Sequence, residues 1–262
     1  SLQDLPQGDG YNYPYLGSLL WAVFWKLSFI SEEYSGRLLF AFLYALALFS
    51  LTQRLNISQI GKSIAFIILI LLSYKYDYFG GEQDILIFSL IAFSAPIIHE
   101  IISYKKNDKF LFQITLLLLI FNALIWTKAE GVIYAFIMTF ILIFFSKIRL
   151  NKKIFIIFSV IFLSLIKIFI YEFYNLNIGI NSCCWNDLSL NAIISKISFE
   201  RIITIIQYFF YSFLKNSFLI LGLICFIFSF FKKGLIKNNL HIYTFFGLNF
   251  AFIFSAYILT DI

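Results

Sequence analysis

Charged residues are scarce in this sequence. Asp, Glu, Lys and Arg make up 13% of its 262 residues, 61% are hydrophobic, and the mean hydropathy is +0.89. Soluble domains carry about a quarter charged residues, so no water-facing surface can be assembled from this inventory. Proline and glycine are few as well, three and twelve respectively, which leaves little material for long linkers. Of three cysteines, Cys183 and Cys184 are neighbours and Cys225 sits inside an apolar run. With no CxxC and no Cys/His ligand spacing, neither a disulfide framework nor a zinc site follows. A Ser/His/Asp arrangement, a GxxxxGK phosphate loop and an HExxH pair are also missing. The polar–apolar alternation of a membrane β-barrel is missing too. The chain opens on Ser1 without Met or a signal-peptide pattern and stops directly after an apolar run, so it is expected to be a piece of a longer protein.

What is present is a series of apolar runs. A helix needs about 20 residues to cross a hydrocarbon core of about 30 Å. Runs at 36–55, 62–76, 84–104, 110–126, 130–146, 153–173, 217–231 and 240–259 meet or approach that length. Tilt or local bilayer thinning absorbs a missing turn. The expected fold is therefore all-α, a polytopic transmembrane bundle of about eight spans forming one domain over 1–262.

The net charge of +6 could speak for nucleic acid, but the basic residues fall in short clusters between apolar runs. That is the pattern of cytoplasmic loops, so no nucleic-acid partner is expected. Taking connections alternately, 54–62, 105–109, 147–153 and 232–237 collect twelve Lys and Arg residues against Asp108 alone. The other set collects Glu32, Glu33, Asp77, Glu82, Asp84, Glu130, Glu172, Asp187, Glu200 and Asp261. The positive-inside rule makes the first set cytoplasmic and the second external. The short segment 15–30 carries Trp21, Trp25 and Lys26, a mixture suited to a helix lying in the interface. Were it a span, the acidic residues 1–13 would be cytoplasmic, against the pattern. Residues 1–35 are thus read as an outer loop with a juxtamembrane helix, 174–199 as an outer loop, and 201–215 as a further interfacial helix. Pro96 should kink its helix. Lys167, about one turn from an outer helix end, should reach the interface, and His241 should face water.

Three outer elements could carry chemistry. They are Asp9-Gly10-Tyr11-Asn12-Tyr13-Pro14-Tyr15-Leu16-Gly17, Gly80-Gly81-Glu82-Gln83-Asp84 and Thr127-Lys128-Ala129-Glu130-Gly131. Asp84 sits where a helix begins, so it suits an N-cap, and a capping carboxylate facing water can also hold a metal or a proton. Lys128 is a cation on an acidic face. It reads either as half of a solvated pair or as a grip on a lipid phosphate at headgroup level. Arg37, at the outer start of the first span, has the same two readings, with snorkelling as the plain one.

The ordered set Tyr13-Pro14-Tyr15-Leu16-Gly17, Glu33-Tyr34-Ser35-Gly36-Arg37, Gly80-Gly81-Glu82-Gln83-Asp84 and Thr127-Lys128-Ala129-Glu130-Gly131 resembles the C-type (GT-C) membrane glycosyltransferases. These include protein O-mannosyltransferases and lipid A aminoarabinose transferases. The resemblance implies an inner-membrane, multi-pass enzyme with an outward-facing site. Such an enzyme transfers sugar from a polyprenyl-phosphate-linked donor to a lipid, glycan or protein acceptor, usually with inversion. A carboxylate acts as base, helped in some members by a divalent metal. It implies catalytic roles for Asp84 and Asp9, and substrate contacts for Lys128, Glu130, Arg37, Glu82 and Tyr13, with Asp84 the place for a metal. Membrane lipids are the other expected partners. The first helix of such enzymes, and the acid beyond it, would precede Ser1. A transporter, or a flippase or polymerase of lipid-linked sugars, is the alternative; it calls for ionisable groups at mid-membrane and broken helices.

Overall fold

The computed structural model describes residues 34–74, 83–103, 109–174, 198–215, 217–231 and 239–259, together with Leu20, Val23 and Lys26. The described residues are all-helical, without strands. The chain divides into two compact units, 1–178 and 179–262.

The first unit contains α1 (Tyr34–Gln53), α2 (Gln59–Tyr74), α3 (Gln83–Ser103), α4 (Phe110–Thr127), α5 (Ala129–Phe145) and α6 (Leu150–Phe173). Each forms where an apolar run was expected, because a continuous run with no helix breaker satisfies its backbone internally. Helix α1 packs mainly on α3, α3 on α4, and α4 on both α5 and α6, with α2 attached to α1. Helix α3 continues through Pro96. Several ends shift by a few residues: α2 begins at Gln59, ahead of Lys62, and α6 begins at Leu150, taking in Lys152 ahead of Lys153. Lys152 was expected in a loop and Lys153 at the very start of the run 153–173. They can join the helix because Lys153 Nζ donates to the Ile143 carbonyl of α5 at 2.6 Å, and the Lys152 ammonium stands 4.2 Å over the Phe110 ring.

The core holds large apolar side chains such as Phe40, Leu48, Leu117 and Phe121, yet many others of that kind lie on the outside. Ala47, Ser73, Ser89, Ala92, Ser94 and Ala135 are buried, while Phe42, Leu71, Leu111, Phe144, Phe158 and Phe169 are exposed. Small residues inside let helix backbones approach, and large apolar ones outside suit a lipid solvent. Several buried hydroxyls find acceptors within their own helices: Ser89 on Ile85, Thr139 on Ala135 and Ser164 on Val160, at 2.7–2.9 Å. Tyr44 and Ser73 share a 2.6 Å hydrogen bond between α1 and α2.

Among the described residues, three helical segments are long and apolar enough to cross a membrane: Asp84–Ser103, Phe110–Thr127 and Leu150–Phe173. Leu38–Gln53, Gln59–Ser73, Glu130–Phe145 and Leu240–Ala256 are apolar but shorter. At 1.5 Å per residue, a 16-residue helix reaches only about 24 Å.

The second unit contains α7 (Phe199–Lys215), α8 (Ser217–Phe231) and α9 (Leu240–Leu259). Phe209 of α7 meets Phe250 and Phe254 of α9, with ring centroids 5.5 and 6.3 Å apart, and Phe226 of α8 meets Tyr243 of α9 at 5.3 Å. His241 does not face water as expected: it is 6% exposed in the first turn of α9. Apart from Leu20, Val23 and Lys26, the expected juxtamembrane helix 15–30 lies outside the described residues, as does most of the loop 174–199.

Candidate functional site

The site is built on the reversal between α4 and α5. Helix α4 ends at Thr127 and α5 begins at Ala129, so Lys128 alone makes the turn, in extended conformation at φ −157°, ψ 164°. A one-residue reversal forces the start of α5 against the end of α4. A Cβ added at Gly131 would fall 1.9 Å from the Leu124 carbonyl oxygen, so only glycine fits. The Gly131 N–H donates to the Lys128 carbonyl at 3.1 Å and closes the turn.

The last four carbonyls of a helix lack intrahelical partners. Lys167 of α6 supplies one for α4: its Nζ donates to the Ile125 carbonyl at 2.5 Å and lies 3.5 Å from the Lys128 carbonyl. A cation also suits the negative end of a helix. Lys167 is 7% exposed, so it serves as a buried cap instead of reaching the interface as expected. Its ammonium lies 5.8 Å from the Tyr171 ring centroid, and Tyr171 in turn approaches Trp126 at 6.3 Å.

Above this fixed corner stand the charged groups. Asp84 occupies the first turn of α3 and Glu130 the first turn of α5, both favourable places for an acid. Lys128 Nζ donates to Asp84 Oδ1 at 2.9 Å and lies 3.8 Å from Glu130 Oε1. The side chain of Lys128 is 19% exposed, that of Asp84 65% and that of Glu130 44%, so the carboxylates face outward over a more sheltered ammonium. Two helix starts and one helix end therefore converge on one ion-paired cluster. Tyr134, half-buried one turn along α5 from Glu130, lies within electrostatic reach of Glu130, Asp84 and Lys128. The sequence reading passed over it, although the four-residue spacing from Glu130 puts both on one face of the helix.

Of the expected site residues, Asp84, Lys128 and Glu130 come together. Arg37 lies in the first turn of α1. Asp9, Tyr13 and Glu82 lie outside the described residues. Asp84 and Glu130 do not fit a divalent metal, because the Lys128 ammonium already lies between them.

The opposite ends of the same helices carry a different cluster. Glu100, near the end of α3, pairs with Arg54 beyond α1 and accepts from Gln113 Nε2 of α4 at 2.7 Å. A separate open groove of 480 Å³ runs between α4 and α6, walled by Leu118, Phe155, Phe158 and Phe162, with Asn122 and Ser159 among its lining.

Fold and burial together define an all-helical protein with segments able to cross a membrane and an ion-paired cluster at one end of the first unit. Compared with the models of known protein families, with curated proteins and with solved structures, the chain finds no match.

Proposed function

We propose that this chain is the membrane-embedded part of a glycosyltransferase that moves a sugar from a polyprenyl-phosphate-linked donor to an acceptor at the outer face of a cell membrane. The observation that carries the reading is the meeting of Asp84, Lys128 and Glu130 at one end of three consecutive helices. Eight spans, with Asp84 outside and Glu100 and Lys153 inside, agree with the charge alternation along the sequence. The apolar exterior of the first unit supports the membrane setting.

The cluster supplies the parts that transfer needs. An arriving phosphate draws the Lys128 ammonium away from Asp84, which frees the carboxylate to act as a base. The acceptor oxygen attacks the anomeric carbon and its proton passes to Asp84. The bond from that carbon to the phosphate oxygen breaks, leaving the electron pair on the polyprenyl phosphate, where Lys128 offsets the charge. Attack opposite the leaving group inverts the sugar. Asp9 is the alternative base. The groove between α4 and α6 begins near Asn122, six residues or about 9 Å along α4 from Lys128, and its walls suit a polyprenyl tail. Lys167, the buried cation that could speak for a transport path, is engaged as a cap on α4, which favours transfer over the transporter or flippase alternative.

The test uses the full-length protein in liposomes with decaprenyl-phosphate-linked tritiated hexoses and pentoses. Asp84→Asn combined with Lys128→Ala should reduce release of decaprenyl phosphate at least 100-fold. Undiminished release would refute the site. Movement of labelled donor across the bilayer without cleavage would favour the flippase.

A further inference from the structure

We infer that Lys128 is a built-in substitute for a divalent cation, so that the Asp84–Glu130 pair excludes metal ions while Lys128 is present. The inference deepens the proposed site, but its test does not depend on sugar transfer.

Two carboxylates carried on the starts of neighbouring helices, both facing outward, offer oxygens of the kind that hard divalent cations take at about 2.0–2.6 Å. Here Lys128 Nζ holds Asp84 Oδ1 at 2.9 Å and stands 3.8 Å from Glu130 Oε1. The backbone that carries the ammonium is pinned from three sides, which keeps Nζ within side-chain reach of both carboxylates. Gly131 presses on the Leu124 carbonyl, the Gly131 N–H holds the Lys128 carbonyl, and Lys167 anchors the Ile125 carbonyl. Lys128 is also the most sheltered of the three charged groups. A cation tied to the chain supplies positive charge for a phosphate without metal loading. Unlike a divalent ion, it can also move from carboxylate to phosphate as one flexible side chain. Removing it takes away the ammonium that joins the two carboxylates, and such a pair becomes a divalent site.

The test measures Mn²⁺ binding by the full chain in nanodiscs, by electron paramagnetic resonance, with Mn²⁺ titrated to 2 mM (on the order of the weaker cation sites). Wild type should show no saturable site. Lys128→Gln should gain one that binds at least about tenfold more tightly than any residual binding to wild type, and Lys128→Gln with Asp84→Asn should lose it. Lys128→Asp, which adds a third carboxylate, should bind more tightly than Lys128→Gln. Size-exclusion and circular-dichroism profiles matching wild type establish that the variants are folded. A saturable wild-type site abolished by Asp84→Asn would overturn the inference, as would folded Lys128→Gln and Lys128→Asp variants that both fail to gain binding. Failure of the transferase reading would leave these outcomes unchanged.

Discussion

Gly131→Ala and Gly222→Ala are the same substitution in two helices and should act with opposite sign. At Gly131 the added methyl would lie 1.9 Å from the Leu124 oxygen and 2.7 Å from its carbon. Both are backbone atoms, so no rotamer change relieves the clash. Restoring van der Waals separation requires α5 to part from α4 by about 1.5 Å. That opens the turn made by Lys128 and strains the Lys167–Ile125 contact. Overpacking costs about 1–3 kcal/mol where side chains can yield, and a clash with a backbone carbonyl belongs at the upper end or above. The helix-propensity gain of about 0.5–1 kcal/mol offsets only part of it. At Gly222, in α8, nothing lies within 4 Å of the added methyl, so the propensity gain stands alone. The assay is reversible unfolding of the full chain in mixed SDS and dodecyl maltoside micelles, followed by circular dichroism. Gly131→Ala should destabilise by about 2 kcal/mol or more and Gly222→Ala should be neutral or stabilising by up to about 1 kcal/mol. A Gly131→Ala effect within about 0.5 kcal/mol of wild type would refute the close approach of α4 and α5.

Lys167→Met keeps most of the side-chain stem but leaves the Ile125 carbonyl without its donor. It should destabilise by about 1–3 kcal/mol in the same assay, with Lys167→Arg recovering part of the loss. A neutral Lys167→Met would mean that the cap contributes nothing net. The Tyr44–Ser73 hydrogen bond should show a coupling of about 0.6 kcal/mol in a Tyr44→Phe, Ser73→Ala double-mutant cycle, and additive single effects would show it to be energetically silent.

Much of the local structure was legible because a long apolar run leaves the backbone one economical solution, the helix. The eight expected runs appear as helices with ends moved by a few residues, and 201–215 falls inside α7. The early start of α6 has an identifiable cause. Lys152 looked like a loop residue and Lys153 like the edge of a run, and the Phe110 ring and the Ile143 carbonyl, elsewhere in the chain, give them a place in a helix. His241 was misplaced for a similar reason, since burial of a residue at a helix start depends on neighbours that the sequence does not reveal.

By itself the sequence determined that the protein is helical, that its surface cannot be mainly polar, and that acids stand at particular helix starts, among them Asp84 and Glu130. These properties follow from composition and short-range order, which act within a turn or two of chain. Tertiary structure alone decided the partners. Lys128 meets Asp84 across 44 residues and Lys167 caps α4 across 42. Such pairings are set by which helices pack together, and the requirement for glycine at position 131 appears only when α5 is laid against the end of α4.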